Sequence, residues 1–162
     1  MNKFFNFFIF ILFLNAFYFY PSNYVSGIEI SGQATVIDGD TIKINNEKIR
    51  FQGMDAFETD QKCERNNGIK YKCGEIATSD LLLIISNQPV NCVAKKKDRY
   101  KRWLATCYVY KLDIGENMVL LGHAFSFMSK KYKQAENEAK KVNAGAWGGN
   151  FDYPWEWRKK NR

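Results

Sequence analysis

Three carboxylates and two arginines lie close enough in the chain to act together. Asp40 closes the turn Ile37-Asp38-Gly39-Asp40-Thr41, and Asp55 and Glu58 stand in Gly53-Met54-Asp55-Ala56-Phe57-Glu58. Acids that converge repel one another and resist burial unless a hard cation joins them. The competing reading is that an Asp in a turn caps its own backbone. Arg50 sits inside an alternating apolar stretch just before Asp55. Its head needs a partner there, either an anion from outside or a structural ion pair. Arg102 ends a basic tip, where it is a solvated hairpin charge or a second group aimed at the same anion. Two guanidinium groups suit a phosphate, because each stays charged and can bond it bidentately.

Strands and turns must hold these residues. Residues 28–53 alternate in the strand manner through Ala34–Ile37, Thr41–Ile44 and Lys48–Phe51. Asn45-Asn46 marks a hairpin turn, since Asn tolerates positive φ. The polar stretch 54–73 reads as a loop. A helix is expected from Glu75 to about Ser86, with Ile76, Leu82, Leu83 and Ile85 inward and Asn87-Gln88-Pro89 as its stop. Val90–Ala94 and Trp103–Tyr110 read as strands around the charged tip 95–102. A short helix fits Asn117–Leu121, closed by Gly122. A last helix fits Lys131–Val142, with Tyr132, Ala135, Ala139 and Val142 on one face. About five short strands and three helices give an α+β domain built on a five-stranded β-barrel of the OB type.

All four cysteines, Cys63, Cys73, Cys92 and Cys107, follow residue 60. An even count in a small exported domain favours disulfides. Their wide spacing disfavours zinc, whose cysteine ligands usually come in close pairs. Symmetric pairing of the two strands around the tip, with Lys96 opposite Trp103, also sets Cys92 opposite Cys107, so a cross-strand bridge is expected there. Cys63–Cys73 follows by elimination and would order the segment after Glu58.

Eight of the 13 Phe lie between Phe4 and Phe19, behind the positive Lys3. This is the pattern of a secretory signal peptide spanning residues 1–27, with Ser26 and Gly27 as small residues at a cleavage site. The alternative is an uncleaved anchor over residues 4–20. Either way the domain over residues 28–150, with a Trp-rich basic tail at 151–162, is expected to be secreted or periplasmic. The formal net charge is +7, and losing residues 1–27 removes only Lys3. A domain this basic attracts polyanions or anionic membrane surfaces.

Four ordered motifs resemble the staphylococcal nuclease-like (thermonuclease) family over residues 33–147. They are Val36–Thr41; Ile49-Arg50-Phe51 with Gly53–Glu58; Asp98–Ala105; and Asn117-Met118-Val119 with Leu121–Ala124. The cysteine positions and Pro154-Trp155-Glu156-Trp157-Arg158 look like an exported bacterial branch. The resemblance implies a calcium-dependent phosphodiesterase, an endonuclease acting on DNA or RNA. It implies Ca²⁺ on Asp40, Asp55 and the carbonyl of Ala56, with Glu58 orienting or deprotonating the attacking water. Arg50 and Arg102 would hold the phosphate, and Arg99 and Tyr100 would contact nucleic acid. The family often has Pro where Phe57 stands. Its usual Tyr after Gly122 falls near Met128, with Tyr132 as a substitute.

His123, the single histidine, and the Trp-rich tail are expected to be structural. Two further functions compete: a non-catalytic OB module that binds nucleic acid through a basic groove, and a membrane-anchored interaction domain. The first would need no converging carboxylates, and the second requires an uncut N-terminus. A monomer without protein partners is expected.

Overall fold

The computed structural model describes residues 27–161. The expected signal peptide or anchor therefore lies outside the described residues, apart from Gly27. Among the described residues no helix is long and apolar enough to cross a membrane.

The chain begins with β1 (Ile28–Gly32), β2 (Ala34–Asp38), β3 (Thr41–Ile44) and β4 (Glu47–Phe51). Asn45 and Asn46 join β3 to β4 with φ of 48° and 68°. Two positive values are what a tight primed hairpin turn requires. In β4, Ile49 and Phe51 enter the core, so Arg50 between them faces the other way.

Residues 54–73 are more ordered than the expected loop. They form β5 (Met54–Ala56) and the small hairpin β6 (Cys63–Arg65) and β7 (Lys70–Tyr71). A disulfide and tertiary pairing, not an alternating apolar pattern, stabilise these short strands. Next comes α1 (Cys73–Ile85), which buries Cys73, Gly74, Ala77, Leu81 and Ile85. The expected face is met in part: Ile85 is buried and Ile76 half-buried, but Leu82 and Leu83 point outward, Leu83 being 74% exposed. Small residues early in α1 let it lie close to the β2–β3 corner, and this fixes which face turns inward.

β8 (Val90–Lys97) and β9 (Trp103–Val109) form the hairpin that carries the basic tip. Cys92 stands directly opposite Cys107 as expected, and the two are bonded. A bulge between Ala94 and Lys96 then shifts the ladder by one, so Trp103 faces Lys97 instead of Lys96. β10 (Leu112–Asp113) leads into α2 (Ile114–Leu120), which starts earlier than expected because the Asp113 carboxylate accepts the Glu116 N–H. β11 (Ala124–Ser126) pairs with β5. α3 (Lys133–Lys141) buries Ala135 and Ala139 but leaves Val142 exposed. A 3-10 turn at Gly145–Gly148, β12 (Gly149–Asn150) and α4 (Pro154–Lys160) complete the chain.

The main sheet runs β1-β8-β9-β4-β3-β2, with β10 beside β9. Its pairs are antiparallel except β4 with β9. This is the expected OB-type α+β arrangement, extended by edge strands and a fourth helix. Sheet residues Ile42, Ile44, Ile49 and Phe51 share one core with Leu81 of α1, Met118 of α2 and Phe125 of β11. Phe151, Tyr153 and Trp155 pack against that core too, so residues 151–161 are joined to the body.

Candidate active site

Asp40 sits at the β2–β3 corner. Its backbone N–H donates to the Asp38 carboxylate at 3.0 Å, which tightens the turn. Gly39 is required there, because a Cβ would crowd the side chains of Ala56 and Ala77. The corner can therefore press against β5 and α1, and Asp40 ends up 4% exposed. Its carboxylate accepts from the Thr41 hydroxyl at 2.9 Å and from the Ala56 N–H at 3.3 Å.

Arg50 bridges the two buried acids. Nη1 donates to Asp40 Oδ1 and Nη2 to Asp55 Oδ1, each at 2.5 Å. Asp55 lies on β5 opposite Phe125 and is wholly buried. Burial disfavours the charged form of Arg50, but the charges of Asp40 and Asp55 outweigh it and raise its pKa. For Asp40, burial dominates. It pushes the carboxyl up to about 7 against the pull of Arg50, and Asp38 and Asp55 add repulsion. These acids repel enough to want more positive charge than Arg50 alone gives.

Glu58 is carried by a segment fastened at several points. The Glu58 N–H donates to Gln61 Oε1 at 3.2 Å, and the buried Gln61 in turn donates to the Asp152 carbonyl at 2.7 Å. The Cys63–Cys73 bridge joins this segment to the start of α1. Gly74, next in α1, lies against the Glu58 carbonyl with no room for a Cβ. Phe57 fills the opposite side. Its ring meets Phe125 edge-on at 5.1 Å and Phe151 at 5.8 Å. A Pro at this position would lack those rings, and the C-terminal aromatics supply the anchorage.

Those aromatics also deliver a residue that sequence reasoning missed. Trp155 stacks on Phe127 at 5.0 Å and on Tyr153 at 4.5 Å. This docks α4 so that Arg158 reaches the acids. Its Nη1 donates to Glu58 Oε1 at 2.5 Å and to Asp55 Oδ1 at 3.1 Å, and its Nη2 to Asp55 Oδ2 at 2.8 Å. Burial works against its charge, but the bonds from Asp55 and Glu58 raise its pKa above the ordinary arginine value. The signal in the sequence is the run Pro154–Arg158: tryptophans that dock this segment also set where the arginine beside them points.

Arg102 reaches the same cleft from the β8–β9 tip, which Asp98 organises. Asp98 accepts the backbone N–H groups of Tyr100 and Arg102 and the Arg102 Nε at 2.9 Å. Burial opposes its charge, yet these bonds hold its carboxyl below the usual range. Tyr100 is 61% exposed, with the Arg99 guanidinium 4.7 Å and the Arg102 guanidinium 5.3 Å from its ring centre. Asp40, Arg50, Glu58, Arg102, Tyr100 and Arg158 all line one cleft of about 510 Å³.

Tyr132 is not in that cleft. It is 2% exposed, and its hydroxyl donates to the Asp113 carboxylate at 3.0 Å. It belongs to the core because it fills the space that Gly115 leaves under α2. The cleft wall there is Phe127 and the exposed Met128. His123 is structural in placement, with Nδ1 2.5 Å from the Asp80 carboxylate of α1.

Among the described residues no three acids, His or Cys are grouped so as to hold a metal ion as they stand. Asp40 and Asp55 converge on Arg50 instead, and Arg158 bridges Asp55 and Glu58. The donor chemistry nonetheless fits a hard cation: two buried carboxylates beside the Ala56 backbone, with Asp40 pushed toward its neutral form by burial and, less, by the neighbouring acids. Asp40, Asp55 and the Ala56 carbonyl would hold such an ion.

Residues 48–149 match the family described as "Staphylococcal nuclease homologue". The chain is 35% identical over 123 residues to the succinoglycan biosynthesis protein ExoI of Rhizobium meliloti, covering 73% of this chain and 64% of that protein. It is 29% identical over 128 residues to the probable staphylococcal-like nuclease CAN3 of Oryza sativa, covering 76% of this chain but 31% of that one. An uncharacterized endonuclease of Haemophilus influenzae is 29% identical over 137 residues, with 78% of this chain and 71% of that protein covered. The chain thus spans less than two thirds of the length of the rhizobial and rice relatives.

Proposed function

The chain belongs to the staphylococcal nuclease family, and from that premise we propose that it is an exported calcium-dependent nuclease hydrolysing phosphodiester bonds of DNA or RNA. The observation that carries this reading is the Arg50 bridge between Asp40 and Asp55, in one cleft with Glu58 and Arg102. A pure binding groove has no use for Asp40 and Glu58 in its lining with Asp55 buried beside them.

The reaction is attack of water on phosphorus. A phosphodiester is an anion, so a hydroxide approaches it poorly. Arg50 and Arg102 bind the non-bridging oxygens and stabilise the charge that grows on them, often the largest catalytic contribution. Glu58 takes the proton of the attacking water; it stands at the cleft, while Asp55 is sealed behind it. A calcium ion on Asp40, Asp55 and the Ala56 carbonyl would supply concentrated positive charge beside the phosphate. Tyr100, exposed and flanked by Arg99, offers a ring on which a base can stack and a cation for the backbone.

Export is supported by the N-terminal pattern and by two disulfides that use all four cysteines. The test is an assay of DNA and RNA cleavage by the oxidised protein in Ca²⁺ and in excess chelator. Cleavage that chelator abolishes and Ca²⁺ restores supports the reading. Chelator-insensitive cleavage, or none on either substrate, refutes it.

A further inference from the structure

Arg158 holds the place where a cation would be expected to meet Asp55. Its guanidinium takes both oxygens of Asp55 and one of Glu58, and Arg50 already takes Asp55 Oδ1 from the other side. One oxygen of Asp55 thus serves two guanidinium groups and the other serves Arg158. Their order from solvent matters as well. The Asp55 side chain is 0% exposed while that of Arg158 is 29% exposed and lines the cleft. An ion entering from the cleft meets Arg158 before it meets Asp55.

Charge makes the exchange balanced. With all three ionised, Asp40, Asp55 and Glu58 carry three negative charges, and Arg50 and Arg158 carry two positive ones. A divalent ion in place of Arg158 would neutralise the remaining charge. An ion added beside Arg158 would set a dication against two guanidinium groups around one buried carboxylate, where like charges repel strongly. Arg158 can leave without unfolding the body, because it sits in the last turn of the short C-terminal helix.

We infer that Arg158 is a tethered cation that competes with the divalent ion for Asp55, so that metal binding and the Arg158–Asp55 contacts exclude each other. In the metal-free protein Arg158 keeps two like-charged acids together; on loading, Asp55 passes from the guanidinium to the ion. This rests on the reading of Asp40 and Asp55 as the calcium ligands.

The test is calorimetric titration of Ca²⁺ into the full-length oxidised protein, with no substrate present. Arg158→Gln removes the competitor, and its affinity should rise on the order of 10–100-fold, a usual size for coupling between two binding events. Arg158→Lys keeps the charge and stem but loses the bidentate fork, and should fall between the two. Lys159→Gln, an exposed neighbour, controls for net charge and should change affinity by less than about twofold under screening salt. Equal or weaker binding in both Arg158 variants, with wild-type binding intact and lost in Asp55→Asn, overturns the inference alone. Absence of binding in the wild type, or binding undiminished in Asp55→Asn, overturns the calcium reading and the inference with it.

Discussion

Gly74 lies against the backbone carbonyl of Glu58 so closely that even a methyl group would clash with it. The start of α1 is therefore a wall against which the segment carrying the proposed base is seated. Gly74→Ala should push that segment out. Overpacking of this kind costs roughly 1–3 kcal/mol, so thermal denaturation should show a modest loss. Cleavage should fall far more than stability, because Glu58 moves while the core does not.

The two disulfides should have separable effects. Both close short loops, with sequence separations of 10 and 15, and each should contribute about 2–3 kcal/mol. The Cys63→Ser/Cys73→Ser protein should also lose cleavage rate below its melting point, since that bridge fastens the Glu58 segment. Cys92→Ser/Cys107→Ser should lose stability with little change in rate. Denaturant titration beside initial rates distinguishes them.

Phe57→Pro should destabilise the protein although Pro is common at this place in the family. The change deletes a buried ring that meets Phe125 and Phe151, and removal of a large buried aromatic costs about 3–5 kcal/mol. It also removes an N–H directed at the His123 carbonyl. Equal melting temperatures would contradict the role given to the C-terminal aromatics.

Calcium affinity should depend on pH through Asp40. Burial raises its carboxyl to about 7, and only the ionised form can bind the ion, so protons compete below that value. Affinity should be nearly flat above about pH 7.5 and fall up to tenfold per unit below about pH 6.5, with a proton released on binding. Titration in two buffers of different ionisation enthalpy counts that proton.

Much of this molecule is legible along the chain. Alternating apolar residues around Asn45-Asn46 give the β3–β4 hairpin and place Arg50 on the face away from the core. Cross-strand counting sets Cys92 opposite Cys107, because the ladder is regular there, and fails by one residue only beyond the bulge. Other features depend on packing that periodicity does not encode. Which face of α1 turns inward is decided by Ala77 and Gly74 meeting the Asp40 corner and the Glu58 carbonyl, not by Leu82 and Leu83. Tyr132 has the chemistry of a stacking residue, but Gly115 opens a buried place for it. Arg158 joins the site across 103 residues from Asp55, through an aromatic stack that gives no periodic signal.

The central claim is that Glu58 activates water beside a cation held by Asp40 and Asp55. The most direct measurement is the single-turnover cleavage rate of the wild type and of Glu58→Gln at saturating Ca²⁺ on one defined DNA or RNA substrate. Loss of a positioned general base predicts a fall on the order of 10²–10⁴-fold with folding unchanged. Equal rates in the two proteins would contradict the account.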